Sequence, residues 1–517
     1  MNKRSVGWVL CGCLLMSASV RAPAQTAAEP IGLFAGHTEV GTVLHTGSVV
    51  YDAARRSYTI TGSGENVWFT ADAFQFVWKK VEGDFTLSAD ISILGQGGDP
   101  HKKAMLMARQ SLDADSAYAD VALHGVGLTS LQSRDAKGAD THEIQSNISA
   151  PKKLRLQKYG DEFTVWLAGD DGVFRMAGGS MRVPLTGAFY VGLGVCAHNK
   201  EAVEAAEFSN VEVGTVSPER TVQAHSTLET ITIASTDRRV TYVSSSQLGV
   251  PNWTPNGESL VFTHDGRIER VPVAGGEPKS IDTGFLGESN GFHGISPDGK
   301  QLAITDESHI RGMNICVVRI GGGVPRRVTS QSQSVWQGWS PDGKTIVFAG
   351  LRRGELGIFT IPIAGGNEKR LADGGGNGSA EYSPDGKYIY FNSDRSGAME
   401  IWRMQPDGSQ PEQVTKDGAG NWFPHVSPDG RLLAFLTPQQ PKPQYSEPFP
   451  LDIEPITLRA MTLADGQIRV LAKLMGGVET MPASSWSPDS RRLAFVSYQG
   501  IKAGALSPGL RRGRIVK

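Results

Sequence analysis

Tyr382-Ser383-Pro384-Asp385-Gly386-Lys387-Tyr388-Ile389-Tyr390-Phe391 decides the fold, because its opening phrase returns along the second half of the chain. The copies read WTPNG, ISPDG, WSPDG, YSPDG, VSPDG and WSPDS, with the Ser or Thr at Thr254, Ser296, Ser340, Ser383, Ser427 and Ser487. Their intervals are 42, 44, 43, 44 and 60 residues, and about 40–45 residues is the length of one four-stranded propeller blade. In each copy an apolar residue packs ahead of the turn, proline presets φ, aspartate bonds its own backbone, and glycine takes the positive φ. The strand that follows alternates, as in Lys300-Gln301-Leu302-Ala303-Ile304, and a third strand comes after a polar loop, as in Glu400-Ile401-Trp402-Arg403-Met404. A second glycine turn, such as Ala364-Gly365-Gly366, leads into the fourth.

Six turns predict a six-bladed β-propeller over residues 227–499. The last copy supplies inner strands as far as Ser497-Tyr498. Two strands ahead of the first repeat, Glu229 to Ala234 and Arg239 to Ser244, complete the sixth blade and close the ring, which removes free sheet edges. The long fifth interval holds a proline-rich insertion, Thr437 to Pro455, expected to loop outside the ring.

Residues 30–215 lack the repeat. Phe85 to Ile93, Phe163 to Leu167 and Phe189 to Val195 alternate apolar and polar residues, which predicts a two-sheet β-sandwich. A linker is expected over 216–226, and the basic, aperiodic tail over 500–517 is expected to be disordered. The fold class is therefore all-β, in keeping with 62 glycines in 517 residues.

The first residues read as an address. Lys3 and Arg4 precede an apolar run, Val6 to Val20, and Ala22-Pro23-Ala24 offers small residues for cleavage before Gln25. A signal peptide over 1–24 implies a periplasmic or secreted protein, and no later stretch approaches the roughly 20 apolar residues of a transmembrane segment. With 51 basic against 53 acidic residues there is no field to hold polyanions, so nucleic acid is excluded as a partner. Cys11 and Cys13 leave with the signal. Cys196 and Cys316 are either two core thiols or a bridge between domains.

The repeats, above all Tyr382 to Lys387 with Asn392-Ser393-Asp394-Arg395-Ser396-Gly397 and Ile401-Trp402-Arg403-Met404, resemble those of TolB-like β-propellers over residues 226–498. The N-terminal half is similar to concanavalin A-like lectin/glucanase sandwiches in Val81-Glu82-Gly83-Asp84-Phe85, Ala104 to Arg109, Pro151 to Leu156 and Phe189 to Val195. That resemblance implies a carbohydrate-binding or structural sandwich. The Glu-x-Asp-x-x-Glu of its glucanase members is missing from 30–215, so glycosidase activity is not carried over. True TolB has an α/β domain ahead of its propeller where a β-sandwich is expected here, which puts a Tol-Pal role in doubt.

Residues just ahead of each turn lie on the innermost strand, facing the central channel. There His293, Gln337, Glu381 and His425 come from four successive copies, and Trp422 offers a stacking face at the channel mouth. Three readings stand: a ligand site for protein or oligosaccharide, purely structural polar residues, or a divalent transition metal on His293, Gln337 and His425. The metal reading resembles the His/Gln centre of propeller-type oligogalacturonate lyases, and would make the chain a metal-dependent lyase or hydrolase of acidic oligosaccharides. His198-Asn199-Lys200-Glu201 is a further loop to weigh as a sugar site on the sandwich. The primary expectation is an exported binding protein without a cofactor, whose partner is a cell-envelope protein or glycan, rather than an enzyme.

Overall fold

Each repeated phrase folds as the turn its residues specify. At Ser296 the hydroxyl donates to the Asp298 carboxylate at 2.7 Å and accepts from the Gln301 N–H at 2.9 Å, while Asp298 also accepts from the Lys300 N–H at 3.1 Å. Gly299 stands at φ 73° and donates to the Ser296 carbonyl at 2.8 Å. The same hydroxyl-to-aspartate bond recurs at Ser340, Ser383, Ser427 and Ser487. In the last copy Ser490 takes the left-handed φ of 62° that glycine takes elsewhere, and its hydroxyl accepts from the Asp429 N–H at 3.0 Å.

The computed structural model describes residues 30–216, 225–287, 290–308, 312–372, 376–439, 452–500 and 505–506. The fold is all-β with a β-propeller. Four antiparallel sheets of four strands succeed one another, with innermost strands Leu248–Trp253, Asn290–Ile295, Ser334–Trp339 and Gly378–Tyr382, and a fifth sheet of five strands begins at Trp422–Val426. Inner strands are bound blade to blade: the Trp339 Nε1–H donates to the Gly294 carbonyl and the Trp486 Nε1–H to the His425 carbonyl, both at 2.9 Å. Gly294 must be glycine, because a Cβ there would lie 2.0 Å from the Trp336 ring.

The expectation of six separate blades is corrected to five. His225–Thr232, Arg238–Ser244 and Arg492–Gln499 pair antiparallel with one another, yet they form no sheet of their own. Arg238–Ser244 runs on, in parallel, into His142–Gln145, and the three strands end a ten-stranded sheet that begins in the N-terminal half. The physical reason is the edge: an unpaired outer strand would leave a row of N–H and C=O groups open, and the N-terminal half covers it. The two ends of the repeat region still meet. The Ser485 hydroxyl donates to the Pro251 carbonyl at 2.7 Å, and the Tyr498 hydroxyl to the Leu248 carbonyl at 3.2 Å.

In the N-terminal half that sheet faces a second one, running from Arg175–Met176 through Phe85–Leu94 to Ser48–Asp52. One apolar core joins them, with Ile60, Leu87, Leu156 and Phe208 from the second sheet against Val77, Leu106, Val121 and Leu193 from the first. The same core takes in Val240 of the repeat half, so the two halves share apolar packing as well as strand pairing.

The insertion and the tail differ in part from expectation. Thr437–Pro438 and Asp452–Pro455 belong to strands Leu432–Pro438 and Asp452–Thr462, while 440–451 lies outside the described residues. Ala505–Leu506 pairs with Asp452 and Ile453, so the tail is ordered there; 501–504 and 507–517, the segment 1–24 expected to be a signal peptide, and linker residues 217–224 also lie outside the described residues. Cys196 and Cys316 are both buried, and no disulfide joins them. Among the described residues no helix is long and apolar enough to cross a membrane.

Candidate functional site

All five inner strands carry a register shift at the positions singled out from the sequence: between Gly249 and Asn252, Asn290 and His293, Trp336 and Gly338, Gly378 and Glu381, and Trp422 and His425. Val250, Ser379 and Phe423 take left-handed φ values of 52°, 50° and 56° there. A bulge re-aims the side chains beside it, so simple alternation does not decide which of them share a face.

His293 is fully buried, with Nδ1 3.3 Å from the Thr263 hydroxyl and 3.4 Å from the Gly291 carbonyl. Thr263 lies on the second strand of the preceding blade. Burial pushes the imidazole down to about 4, against backbone hydrogen bonding from Gly291 and Val261 that favours the charged form, so the ring is neutral at pH 7. Gln337 turns its carbonyl oxygen to the next blade, accepting from the Ala380 N–H at 2.8 Å.

His425 and Glu381 come together. Nδ1 of His425 forms a short hydrogen bond with Oε2 of Glu381, and Nε2 donates to the Met481 carbonyl at 3.0 Å. Because Nε2 faces a carbonyl, it is the donor in that bond. The dyad thus links the fourth sheet, the fifth sheet and the segment after it. The His425 side chain is 3% exposed and that of Glu381 14%, so Glu381 is the more accessible member of the pair.

The structure therefore joins two of the four channel candidates and directs the other two elsewhere. A metal on His293, Gln337 and His425 does not fit this arrangement, since both His425 nitrogens and the Gln337 oxygen are engaged within the protein. Among the described residues no group of three or more His, Cys, Asp or Glu side chains is placed to hold a metal ion. Trp422 is corrected as well: it is 1% exposed and packs in one cluster with Phe423, Leu436 and Leu458, so its ring presents no stacking face. Around the channel, Asn252 Oδ1 and Nδ2 and Gln337 Nε2 are buried without a hydrogen-bond partner among the described residues.

His198, weighed as a sugar-loop residue, stands at φ 55° with its ring 5.5 Å from that of His101, which in turn lies 5.8 Å from His124. Burial lowers His198 and, more strongly, His124, to about 3.

Residues 314–447 match the TolB beta propeller domain. An uncharacterized protein of Agrobacterium fabrum is 38% identical over 275 residues, which is 53% of this chain and 92% of that protein. The chain belongs to the TolB-like β-propeller family. A solved structure from Agrobacterium tumefaciens, provisionally described as TolB, shares 37% identity over 53% of this chain and 98% of its own, with a TM-score of 0.50. TolB from Acinetobacter baumannii is 18% identical, covering 51% of this chain and 65% of its own at a TM-score of 0.36.

Two acids of this TolB-like propeller escaped the sequence reading. Glu479, half-buried, has its carboxyl pushed up to about 8, first by desolvation and then by the negative charge of Glu307. Both lodge where glycine leaves room: a Cβ on Gly249 would lie 2.3 Å from Glu479 Oε2, and one on Gly291 would lie 2.1 Å from Glu307 Oε1. Those glycines stand five residues ahead of Thr254 and Ser296. A glycine repeated at one register of the inner strand was the available signal.

Proposed function

We propose that the chain is an exported recognition protein whose TolB-like propeller binds a protein or oligosaccharide of the cell envelope at the inner ring, while the N-terminal half, as a concanavalin A-like sandwich, engages glycan or envelope polymer. The observation that carries this reading is the Glu381–His425 dyad: fastened to Met481, it offers a carboxylate held in place from three consecutive parts of the ring. A polar anchor fixed before binding loses little freedom on binding. The unpartnered Asn252 and Gln337 atoms add donors and an acceptor for an incoming polar group. In this reading the export signal expected over 1–24 sends the protein to the periplasm or outside the cell. Both His425 nitrogens serve internal bonds, which favours binding over metal-dependent turnover of acidic oligosaccharides.

The test is capture of envelope proteins and glycans on immobilised protein, with each captured species then titrated against wild type and Glu381→Gln. At least a tenfold loss of affinity in the variant, with an unchanged thermal transition, is expected. Equal binding by both proteins, or release of a cleaved saccharide, would overturn the reading.

A further inference from the structure

Where the two halves share a sheet, a cavity of about 440 Å³ opens between them, within the range of roughly 300–1,000 Å³ that small-molecule sites occupy. Gln145 reaches it from the N-terminal half, Asp237 and Arg239 from the strand pair ahead of the first repeat, and Asp489, Arg491 and Arg492 from the last turn.

Among the described residues no close side-chain ion pair joins these charges; the Asp489 carboxyl is held below its usual range by the Ser487 hydroxyl first and by the nearby Arg492 and Arg491 charges after it. In four other turns the basic residue after glycine pairs with the turn aspartate: Lys300 with Asp298 at 3.6 Å, Lys344 with Asp342 at 3.9 Å, Lys387 with Asp385 at 3.0 Å and Arg431 with Asp429 at 2.9 Å. Arg491 holds the same place in the last turn, but there only its backbone N–H reaches Asp489, at 3.1 Å. Arg492 lays its guanidinium over the Trp253 ring at 4.7 Å, a stacking that leaves its in-plane N–H edges open. Arg239 is held to the neutral Gln145 Oε1 at 2.9 Å. Arg238, beside them, is neutralised by Glu229 at 2.7 Å and does not count. Three guanidinium groups thus face the cavity together with two carboxylates.

We propose that this seam cavity binds a carboxylate-bearing saccharide unit. Arginine forks take a carboxylate through paired hydrogen bonds, and Asp237, Asp489 and the Gln145 amide oxygen are acceptors suited to sugar hydroxyls. A phosphate dianion would satisfy the arginines but bring two negative charges against the aspartates, and an acidic peptide side chain brings a single charge with no hydroxyls beside it to donate. A uronic-acid ring carries both the anion and the donors. The site stands apart from the inner ring and is independent of the reading given to it.

The experiment is calorimetric titration of the whole protein with trimers of galacturonate, mannuronate and guluronate, with their carboxyl-reduced forms, an aspartate-rich peptide and inorganic phosphate as further arms. Binding of at least one uronate trimer is expected, weakened tenfold or more in Arg239→Gln/Arg491→Gln, weakened by added salt, and unchanged in Glu381→Gln. Both arginines are solvent-exposed, and an unaltered thermal transition checks that the double variant folds. No binding by any uronate trimer, equal binding by the carboxyl-reduced forms, tighter binding by peptide or phosphate, or full affinity in the double variant would each overturn the proposal.

Discussion

Replacing Arg238 with alanine removes the countercharge from one buried carboxylate and leaves the rest of the seam in place. Glu229 is fully buried and accepts from Arg238 Nε at 2.8 Å and from Nη2 at 2.7 Å, with a further short hydrogen bond from the Ser497 hydroxyl. Arg238 also donates Nη1 to the Ser180 carbonyl at 3.0 Å, fastening the repeat strands to the N-terminal half. Without the guanidinium, Glu229 keeps a single neutral donor for a charge that cannot reach water. Breaking such a pair from one side costs about 3–5 kcal/mol. At roughly 2–4 °C per kcal/mol for units of 150–250 residues, the thermal transition falls by about 6–20 °C. The assay is a melt followed by circular dichroism, at pH 7 and fixed protein concentration. Glu229→Gln/Arg238→Met removes both charges and is expected to recover most of the loss, because the penalty lies in the uncompensated ion. A fall of less than about 2 °C in Arg238→Ala, or a double variant less stable than the single one, would refute the reasoning.

Glu479 holds its proton in the folded protein up to about pH 8 but only to its usual 4.5 when unfolded. Its contribution is therefore complete below pH 4.5 and is lost as pH rises through 8; Glu479→Gln should flatten the decline of melting temperature between pH 5 and pH 8, and an unchanged slope would contradict the assignment. His293 behaves in the opposite sense: with its imidazole at about 4 in the fold against 6.5 unfolded, stability is complete above pH 6.5 and lost as pH falls towards 4. Urea midpoints at pH 6.5 and 4.5 should differ less in His293→Gln than in wild type. Gly294→Ala puts a methyl 2.0 Å from the rigid Trp336 ring and should cost about 1–3 kcal/mol in a urea titration. Cys196, its thiol pushed up to about 11 by burial, and the equally buried Cys316 should resist a thiol reagent until urea unfolds the chain, as peptide mass mapping would record.

The turns were legible because their chemistry is local: Ser383, Pro384, Asp385 and Gly386 bond within five residues of one another, and any copy can be read without knowing its neighbours. The pairing of Glu381 with His425 was half legible. A common register placed both beside the channel, but which side chains meet depends on bulges that no single strand announces. The shared sheet was hidden, since Arg239 meets Gln145 across 94 residues and in parallel, with nothing in either segment to specify the other. That long-range contact turned an expected sixth blade into the end of a larger sheet. Trp422 shows a different limit: an aromatic residue beside a turn looks alike whether its ring faces solvent or core, and here the cluster with Leu436 and Leu458 took it.

The measurement closest to the central claim is the affinity of a captured envelope partner for wild type and for Glu381→Gln, taken side by side at the same salt. The account expects the isosteric variant to melt like wild type and to bind at least tenfold more weakly. Unchanged affinity, or a captured saccharide that is cut rather than held, would contradict it.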